Sequence, residues 1–402
     1  MSQTQAQPKV GVLIDHLHVG GVQKVAIEQV KALTRAGYQA ELVVMKSTPE
    51  SDAFADLLQD IAVTYLDLRM PPLLRWSFPI PPFSFLSWYH FSYPLLLPWV
   101  VKKKEWQLLL AHNTTTSFTA VTLKWFKKIP YLWNVHDPLY HVLQNVYQHR
   151  FHGLLTKALS PAARWLDKLL LKNSGGVVVF GFSYLSYLRS LAGKKISQEI
   201  KLVPQGTSLQ LDFIKEKQDY FVTASSWKPV KKLERLIRYF AELGKYRLKI
   251  IGSWVDQEYR SEIEQLIIAL NMEDKIEIQD RFLPESEMMA HFQQARGLVL
   301  AKPEPGFGCT PWEAAACGCP AIIGSSTGIA HWLESDKEVF IYNPDCPEQI
   351  KQYVKRLGSD LDLAVTVGSA ARQAVQKFTW DYHINLLRDL MQTYVRPQSA
   401  SN

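Results

Sequence analysis

The chain has 402 residues, enough for two α/β domains that each bury a core of their own. A content of 47% hydrophobic and 21% charged residues excludes a disordered chain, and a polar N-terminus (MSQTQAQPK) shows no apolar secretory stretch. The formal charge of +7 suits a phosphate-rich ligand or an anionic membrane surface, but without a zinc finger, an RNP-type strand or a recognition helix it does not argue for nucleic acid.

In chain order, Val10–Ile14 reads as a buried strand, Gln23–Leu33 has apolar residues at helical spacing, and Glu41–Met45 reads as a second strand. The loop between the first strand and helix, His16 to Lys24, contains Gly20 and Gly21. These glycines let the backbone approach an anion at the helix start, or they simply make a tight turn. Residues Pro71–Val101 break the rhythm: Arg75 is their only formally charged side chain, and prolines recur at Pro79, Pro81, Pro82, Pro94 and Pro98. A spanning helix would lose backbone hydrogen bonds at each proline, so a shallow membrane wedge is expected instead. Trp76, Trp88 and Trp99 would sit among the headgroups, with Lys102, Lys103 and Lys104 beside anionic lipid. The other reading of this segment is an apolar insertion folded onto its own domain, or a dimer contact.

Further strands are expected at Leu108–Ala111, Tyr131–Val135, Gly176–Phe180 and Ile200–Val203, each near a helical pattern. Strands alternating with helices imply a parallel sheet covered on both faces. Two histidines follow strand ends, His112 and His136; each is either a ligand contact or a strand-end histidine bonded to its neighbours. A second series starts at Tyr220–Ala224 and runs through Leu248–Ile251, Ile276–Ile278, Leu298–Ala301 and Ala321–Ile323, after a linker near Pro204–Lys217. After Leu298–Ala301 comes KPEPGFGCTPWEAAACGCPAII. Gly306 and Gly308 flank Phe307, so the chain can turn and expose amides around Cys309 and Thr310 before a helix that begins near Pro311. Such a turn can bind a diphosphate without a positive side chain. Glu313, one turn on, either accepts hydrogen bonds from ribose hydroxyls or is a favourable charge at a helix N-terminus. The one-residue gap of Cys317 and Cys319 is poor metal spacing, so these read with Cys309 and Cys346 as reduced packing thiols, and no metal is expected.

The run GFGCTPWEAAACGCPAIIGSSTG resembles the donor-site signature of the GT-B glycosyltransferases, specifically the retaining group called family 4. Other stretches fall in that family's order. Gly20-Gly21 is similar to its N-terminal glycine loop, and Asn134-Val-His136-Asp137 to a strand end where the family keeps a histidine facing the donor sugar. Val203 to Thr207 resembles its "IPNG" turn, Lys231 followed by Leu233, Leu236 and Ile237 its second-domain helix start, and Phe378-Thr-Trp380 the entry to its C-terminal helix. The resemblance implies two Rossmann-like domains facing across a cleft, with a C-terminal helix crossing back to the first. It divides the chain into a polar tail at 1–8, an acceptor-side domain at 9–205 with an insertion at 71–104, and a linker at 206–218. A donor-binding domain at 219–378 and a crossover helix at 379–396 complete it.

Three positions depart from the pattern. The first of the family's paired glutamates would fall on Pro305, with Glu304 one residue earlier. Its arginine falls on Ser226, leaving Lys231, with Lys228 or Lys232 as substitutes, and an expected acidic residue falls near His331. The activity implied is retaining, metal-independent transfer of a hexose from a UDP- or GDP-linked sugar, which is a co-substrate rather than a cofactor. His136, Lys231 and Glu304 would act on the sugar and diphosphate. Gly20, Gly21, Ser226, Lys232, Gly306, Phe307, Gly308, Cys309, Thr310 and Glu313 would complete the donor site. The acceptor is expected to be a lipid-linked or membrane-associated glycan, met at the cytoplasmic face by a cytoplasmic, peripherally bound enzyme. A soluble glycan or metabolite acceptor is the alternative within the class, and a catalytically weakened sugar-nucleotide-binding scaffold the alternative outside it.

Overall fold

The structure, a computed structural model, describes residues 7–395 apart from 19, 48–54, 77, 81–82, 147–152, 194–198, 209–211 and 282. Expectations for the N-terminal tail before residue 7, for Pro81 and Pro82, for linker residues 209–211 and for residue 396 fall outside the described residues. The chain forms two compact units, one from residues 1–180, 184–206 and 380–402, the other from 181–183 and 207–379. Both are α/β units of the Rossmann type.

In the first unit the strands are β1 (Lys9–Ile14), β2 (Gln39–Val44), β3 (Ala62–Tyr65), β4 (Pro79–Ile80), β5 (Phe83–Ser87), β6 (Leu108–His112), β7 (Tyr131–Val135), β8 (Val177–Val179) and β9 (Ile200–Leu202). Seven of them form one sheet in the order β3-β2-β1-β6-β7-β8-β9, while β4 and β5 pair as a small antiparallel hairpin. All neighbours in the large sheet are parallel, with Val10 opposite Ala40 on one side and Leu108 on the other. Central strands β6 and β7 are buried at every residue, as a sheet covered on both faces requires. The sequence pattern placed these two strands well. It missed edge strand β3, whose four residues AVTY are only half buried and too short to stand out by periodicity. The C-terminal helix Trp380–Gln392 packs on the helix Gly21–Arg35 within this unit, and Arg35 pairs with Asp381 at 2.8 Å.

The prolines of the insertion do not prevent a helix. Tyr89–Val100 is a helix that contains Pro94 and Pro98. Each proline removes one backbone donor, yet the helix survives because Tyr89, Tyr93 and Leu97, spaced four apart, bury one face in the core of the unit. Trp88, Phe91, Leu95 and Trp99 form the opposite stripe, and all four are exposed, Trp99 to 82%.

The second unit holds β10 (Phe221–Ala224), β11 (Leu248–Ile251), β12 (Ile276–Gln279), β13 (Gly297–Val299), β14 (Ala321–Gly324) and β15 (Phe340–Tyr342), all parallel, in the order β12-β11-β10-β13-β14-β15. Its core centres on Phe221, Phe240, Ile250, Val299, Ile322 and Phe340. Beyond β11 the chain turns at Gly252, whose φ of 130° only glycine adopts freely. A Cβ there would stand 1.9 Å from the carbonyl oxygen of Ser225. Gly252→Ala should therefore destabilise the protein by more than about 2 kcal/mol, since strained backbone adds to the clash. Urea unfolding checks this; an unchanged midpoint would mean that the turn relaxes freely.

Candidate active site

In each sheet the strand order reverses direction at one point, between β1 and β6 in the first unit and between β10 and β13 in the second. Loops leaving the carboxyl ends of such strands diverge and open a crevice for a ligand. In the second unit these loops are residues 225–232 after β10 and 300–308 after β13.

The first loop is held to its sheet by Trp227, whose indole N–H donates to the Ile251 carbonyl at 3.1 Å. Pro229 then opens a single 3₁₀ turn, Pro229–Lys231, and Lys232 adopts a left-handed φ of 58° to release the chain into the helix Leu233–Leu243. Buried Leu233, Leu236 and Ile237 fix that helix, and so fix where Lys231 stands. The Lys231 ammonium donates to the Glu304 carboxylate, and both line a small pocket with Ser225, Trp227 and Lys302. Lys302 is half buried. Burial, with Lys231, Lys232 and Arg235 close by, pushes its pKa below the ordinary lysine range, against the opposing pull of Glu304. Four cations thus lie near one another, Lys231 and Lys302 lining the pocket, with Lys231 paired to Glu304, Lys232 3.8 Å from Glu234 and Glu348 near Arg235. An excess of positive charge at a half-open pocket favours an anion.

The second loop passes the glycines. Gly308 has a φ of 87° and caps the helix Cys309–Ala316, which starts two residues earlier than the Pro311 start expected from sequence. The left-handed glycine lets the helix begin at once, and Pro311 becomes its third residue, contributing no N–H. Gly306 and Phe307 are stitched to the following turn: the amides of Gly328 and Ile329 donate to their carbonyls at 2.8 Å. The Glu304 amide donates to Thr327 Oγ1 at 3.2 Å, so Glu304 is placed by the same turn. Phe307 is buried edge-on against Trp312, a packing role. Glu313 is half buried one turn into the helix.

Of the residues singled out by sequence, Lys231 and Glu304 therefore meet, Lys232 stands beside them, and the glycine loop follows directly in the chain. Ser226 does not line the pocket: it is exposed, and Ser225 is the serine that faces inward. Lys302 and Arg235 were not identified from sequence. Lys302 directly follows a buried strand-end run, a position where a charged side chain was the available signal.

In the first unit His136, just past β7, is 9% exposed, whereas His112, the last residue of β6, is wholly buried. A direct ligand contact by His112 is thus ruled out by burial. Instead His112 Nδ1 lies 2.9 Å from His136 Nε2, and its Nε2 lies 2.9 Å from Gln29 Oε1. Gln29 also reaches His383, with a 2.9 Å contact. Burial, and for His136 the nearby His383, lowers the pKa of His136 to about 3 and that of His383 to about 4; His112 is lowered well below its usual value, by burial first. Gly20 caps the helix Gly21–Arg35 in extended backbone (φ −176°), so no left-handed turn requires glycine there, and Gly21 is exposed. Gln23 closes this loop by donating to the His16 carbonyl at 3.3 Å. Trp76, Trp88 and Trp99 lie on the exposed stripe of the insertion, apart from these polar groups. All four cysteines are free thiols, with Cys317 and Cys319 buried. Among the described residues no three His, Cys, Asp or Glu side chains gather as a metal site.

Two family models match in succession, Glycosyltransferase Family 4 over residues 19–211 and Glycosyl transferases group 1 over residues 210–374. Solved structures are similar over 96% of this chain. They include a sucrose-phosphate synthase from Thermosynechococcus elongatus (17% identity, 99% of that chain, TM-score 0.75). Anabaena HepE in complex with UDP and glucose is another (17% identity, 96% of this chain and 100% of that one, TM-score 0.72). So is an S. aureus TarM mutant in complex with fondaparinux, α-GlcNAc-glycerol and UDP (11% identity, 96% and 99%, TM-score 0.72). At these identities the likeness shows the fold. No curated protein matches the chain by sequence.

The histidine network sets an acid limit on stability. In the unfolded chain each histidine titrates near 6.5. Between that value and its lowered folded pKa the unfolded state binds the extra proton. The contribution is therefore fully present above about pH 6.5 and is lost as pH falls toward 4, at up to about 1.4 kcal/mol per pH unit for each histidine. Urea midpoints should fall steeply from pH 7.5 to 5.5 and less steeply in His383→Asn; equal slopes would mean that His383 is not held neutral in the fold.

Proposed function

The chain belongs to the GT-B-fold glycosyltransferases of the group 1 and family 4 type, and from that premise we propose that it moves a hexose from a UDP-linked sugar, with retention, to a hydroxyl of a lipid-linked glycan at an anionic membrane surface. The observation that carries the donor half is the convergence of Lys231, Lys232, Lys302 and Arg235 at the β10–β13 switch, next in the chain to the glycine loop. UDP as the nucleotide draws support from the similar structures solved with it.

In this reaction the bond from the anomeric carbon to the diphosphate oxygen breaks, and a bond to the acceptor hydroxyl oxygen forms on the same face. The acceptor proton leaves to the departing phosphate oxygen. Charge grows on the diphosphate as the bond breaks, so cations already in place there lower the barrier more than they tighten substrate binding. Lys231 and Lys302 supply that charge, with the backbone amides of Cys309 and Thr310 at the helix start. Lys302 takes the part left open by the serine at position 226. The half-buried pair of Lys231 with Glu304 holds both side chains ready, and Glu304 then accepts from a sugar hydroxyl. Glu313 accepts from the ribose, and His136 hydrogen-bonds the transferred sugar. With side chains neutralising the diphosphate, turnover is independent of added divalent metal.

The acceptor half rests on the helix Tyr89–Val100. An apolar helix face turned to water is unfavourable unless something covers it. Trp76, Phe78 and Trp88 form a chain of tilted and edge-on ring contacts, with centroids 6.4 and 6.2 Å apart, beside exposed Phe91, Leu95 and Trp99, with Lys102, Lys103 and Lys104 next in the chain. Exposed tryptophans flanked by lysines match the interface of an anionic bilayer in both polarity and charge. No helix among the described residues is long and apolar enough to cross a membrane.

Two experiments test these halves. UDP at a hundred times its Kd should stabilise the protein by about 2.7 kcal/mol in a thermal-shift assay. Lys302→Met should weaken UDP binding roughly tenfold, in line with loss of one charge-assisted hydrogen bond; no response to UDP, GDP or ADP would overturn the donor reading. Binding to phosphatidylserine vesicles should fall at least about tenfold in the variant Trp88→Ser/Phe91→Ser/Trp99→Ser. Undiminished binding would remove the stripe from membrane contact.

A further inference from the structure

We infer that Gln29, His112 and His383 form a one-way hydrogen-bond relay whose purpose is to fix the tautomer of His136, presenting its Nδ1 as a hydrogen-bond acceptor. The inference rests on His136 touching the transferred sugar, as proposed above, but the relay itself follows from hydrogen-bond accounting in the first unit.

The accounting starts at a group that can only accept. The carbonyl oxygen of Pro204 lies 2.7 Å from His383 Nδ1, so that nitrogen carries the proton. A neutral His383 then has a lone pair at Nε2, which accepts from the amide NH₂ of Gln29 at 2.9 Å. The second NH₂ proton of Gln29 goes to Asn134 Oδ1 at 3.3 Å. Turning the Gln29 amide over would place oxygen against His383 Nε2 and force a second proton onto a wholly buried imidazole, so the amide has one orientation. Gln29 Oε1 therefore accepts from His112 Nε2–H at 2.9 Å. His112 is left with a lone pair at Nδ1, which accepts from His136 Nε2–H at 2.9 Å. His136 ends the chain with its proton on Nε2 and its lone pair on Nδ1.

Each member is held by a different part of the fold: Gln29 on the helix Gly21–Arg35, His112 at the end of β6, His136 after β7 and His383 on the helix Trp380–Gln392. Gln29, His112 and His383 are fully buried, while His136 retains some exposure. Burial keeps all three imidazoles neutral, which the single direction of the relay requires. The first three are positioning residues: they act on the sugar only through His136. An acceptor at Nδ1 selects a hydroxyl donor on the ligand, whereas the opposite tautomer would present an N–H and favour an oxygen without a proton.

The test is direct. In the full-length protein labelled with ¹⁵N-histidine, long-range ¹H–¹⁵N spectra at pH 7 should show His383 protonated at Nδ1 and His112 and His136 at Nε2. His383 protonated at Nε2, or mixed tautomers at His136, would overturn the relay whatever the enzyme's activity. Two variants separate direction from packing. Gln29→Leu removes its contacts to His383, Asn134 and His112, so His136 should populate both tautomers, and kcat should fall roughly 10- to 100-fold with UDP affinity unchanged. Gln29→Glu still accepts from His112, so His136 and kcat should stay near wild type while His383 gains a second proton. Equal losses of kcat in both variants with one unchanged His136 tautomer would sink the proposal. Should Gln29→Leu fail to fold, the wild-type and Gln29→Glu spectra decide alone. Should no donor turn over, the spectra still judge the relay, and only the sugar-binding reading fails.

Discussion

A parallel sheet buried on both faces leaves almost no room for polar chemistry within its strands, because each face is packed under helices and each backbone group is spent on a neighbour. Polar groups are pushed to the carboxyl ends of strands, and the loops there separate only where the strand order reverses. Both units obey this constraint. At the β10–β13 reversal the two loops bring Lys231 and Lys302 from strands adjacent in space and some seventy residues apart in sequence. At the β1–β6 reversal and the neighbouring β7, the strand ends bring His112 and His136 together.

The two sites solve their electrostatics in opposite ways. In the second unit the charged side chains keep partial contact with water, Lys231 and its carboxylate partner Glu304 being 27% and 28% exposed. Charge survives there because solvent screens the mutual repulsion until an anion replaces it. In the first unit the histidines are buried, His136 alone keeping slight exposure, and a charge there would cost more than any hydrogen bond returns. They stay neutral and pair instead, so the unit stores direction rather than charge. The same burial that silences their titration leaves each imidazole N–H paired with an acceptor, and that is why the proton positions are determinate.

The insertion helix follows a third logic. The helix Leu233–Leu243 presents Arg238 to solvent opposite its buried leucines. Tyr89–Val100 has no such face. Its prolines are buried among the tyrosines that anchor it, and its outward residues are as apolar as its inward ones. An outward apolar face contributes nothing to the folding of its own unit.

The sequence by itself determined the alternation of strands and helices, the two-unit α/β architecture, and the loop Gly306–Thr310 with its helix, because buried parallel strands are continuous apolar runs and glycine turns have few other uses. Lys231 and Glu304 were also legible, through the motifs around them. Tertiary structure alone decided the rest. The helix Tyr89–Val100 depends on a tyrosine face finding a core, which outweighs the two prolines that local rules count against it. Lys302 enters the site only because β13 lies beside β10, and Ser225 rather than Ser226 lines the pocket just past the end of β10. The relay from Pro204 through His383, Gln29 and His112 to His136 joins residues up to 354 positions apart, a distance across which no local pattern carries information. Periodicity and turn chemistry are properties of neighbours in the chain, whereas hydrogen-bond pairing in a dry interior is a property of neighbours in space.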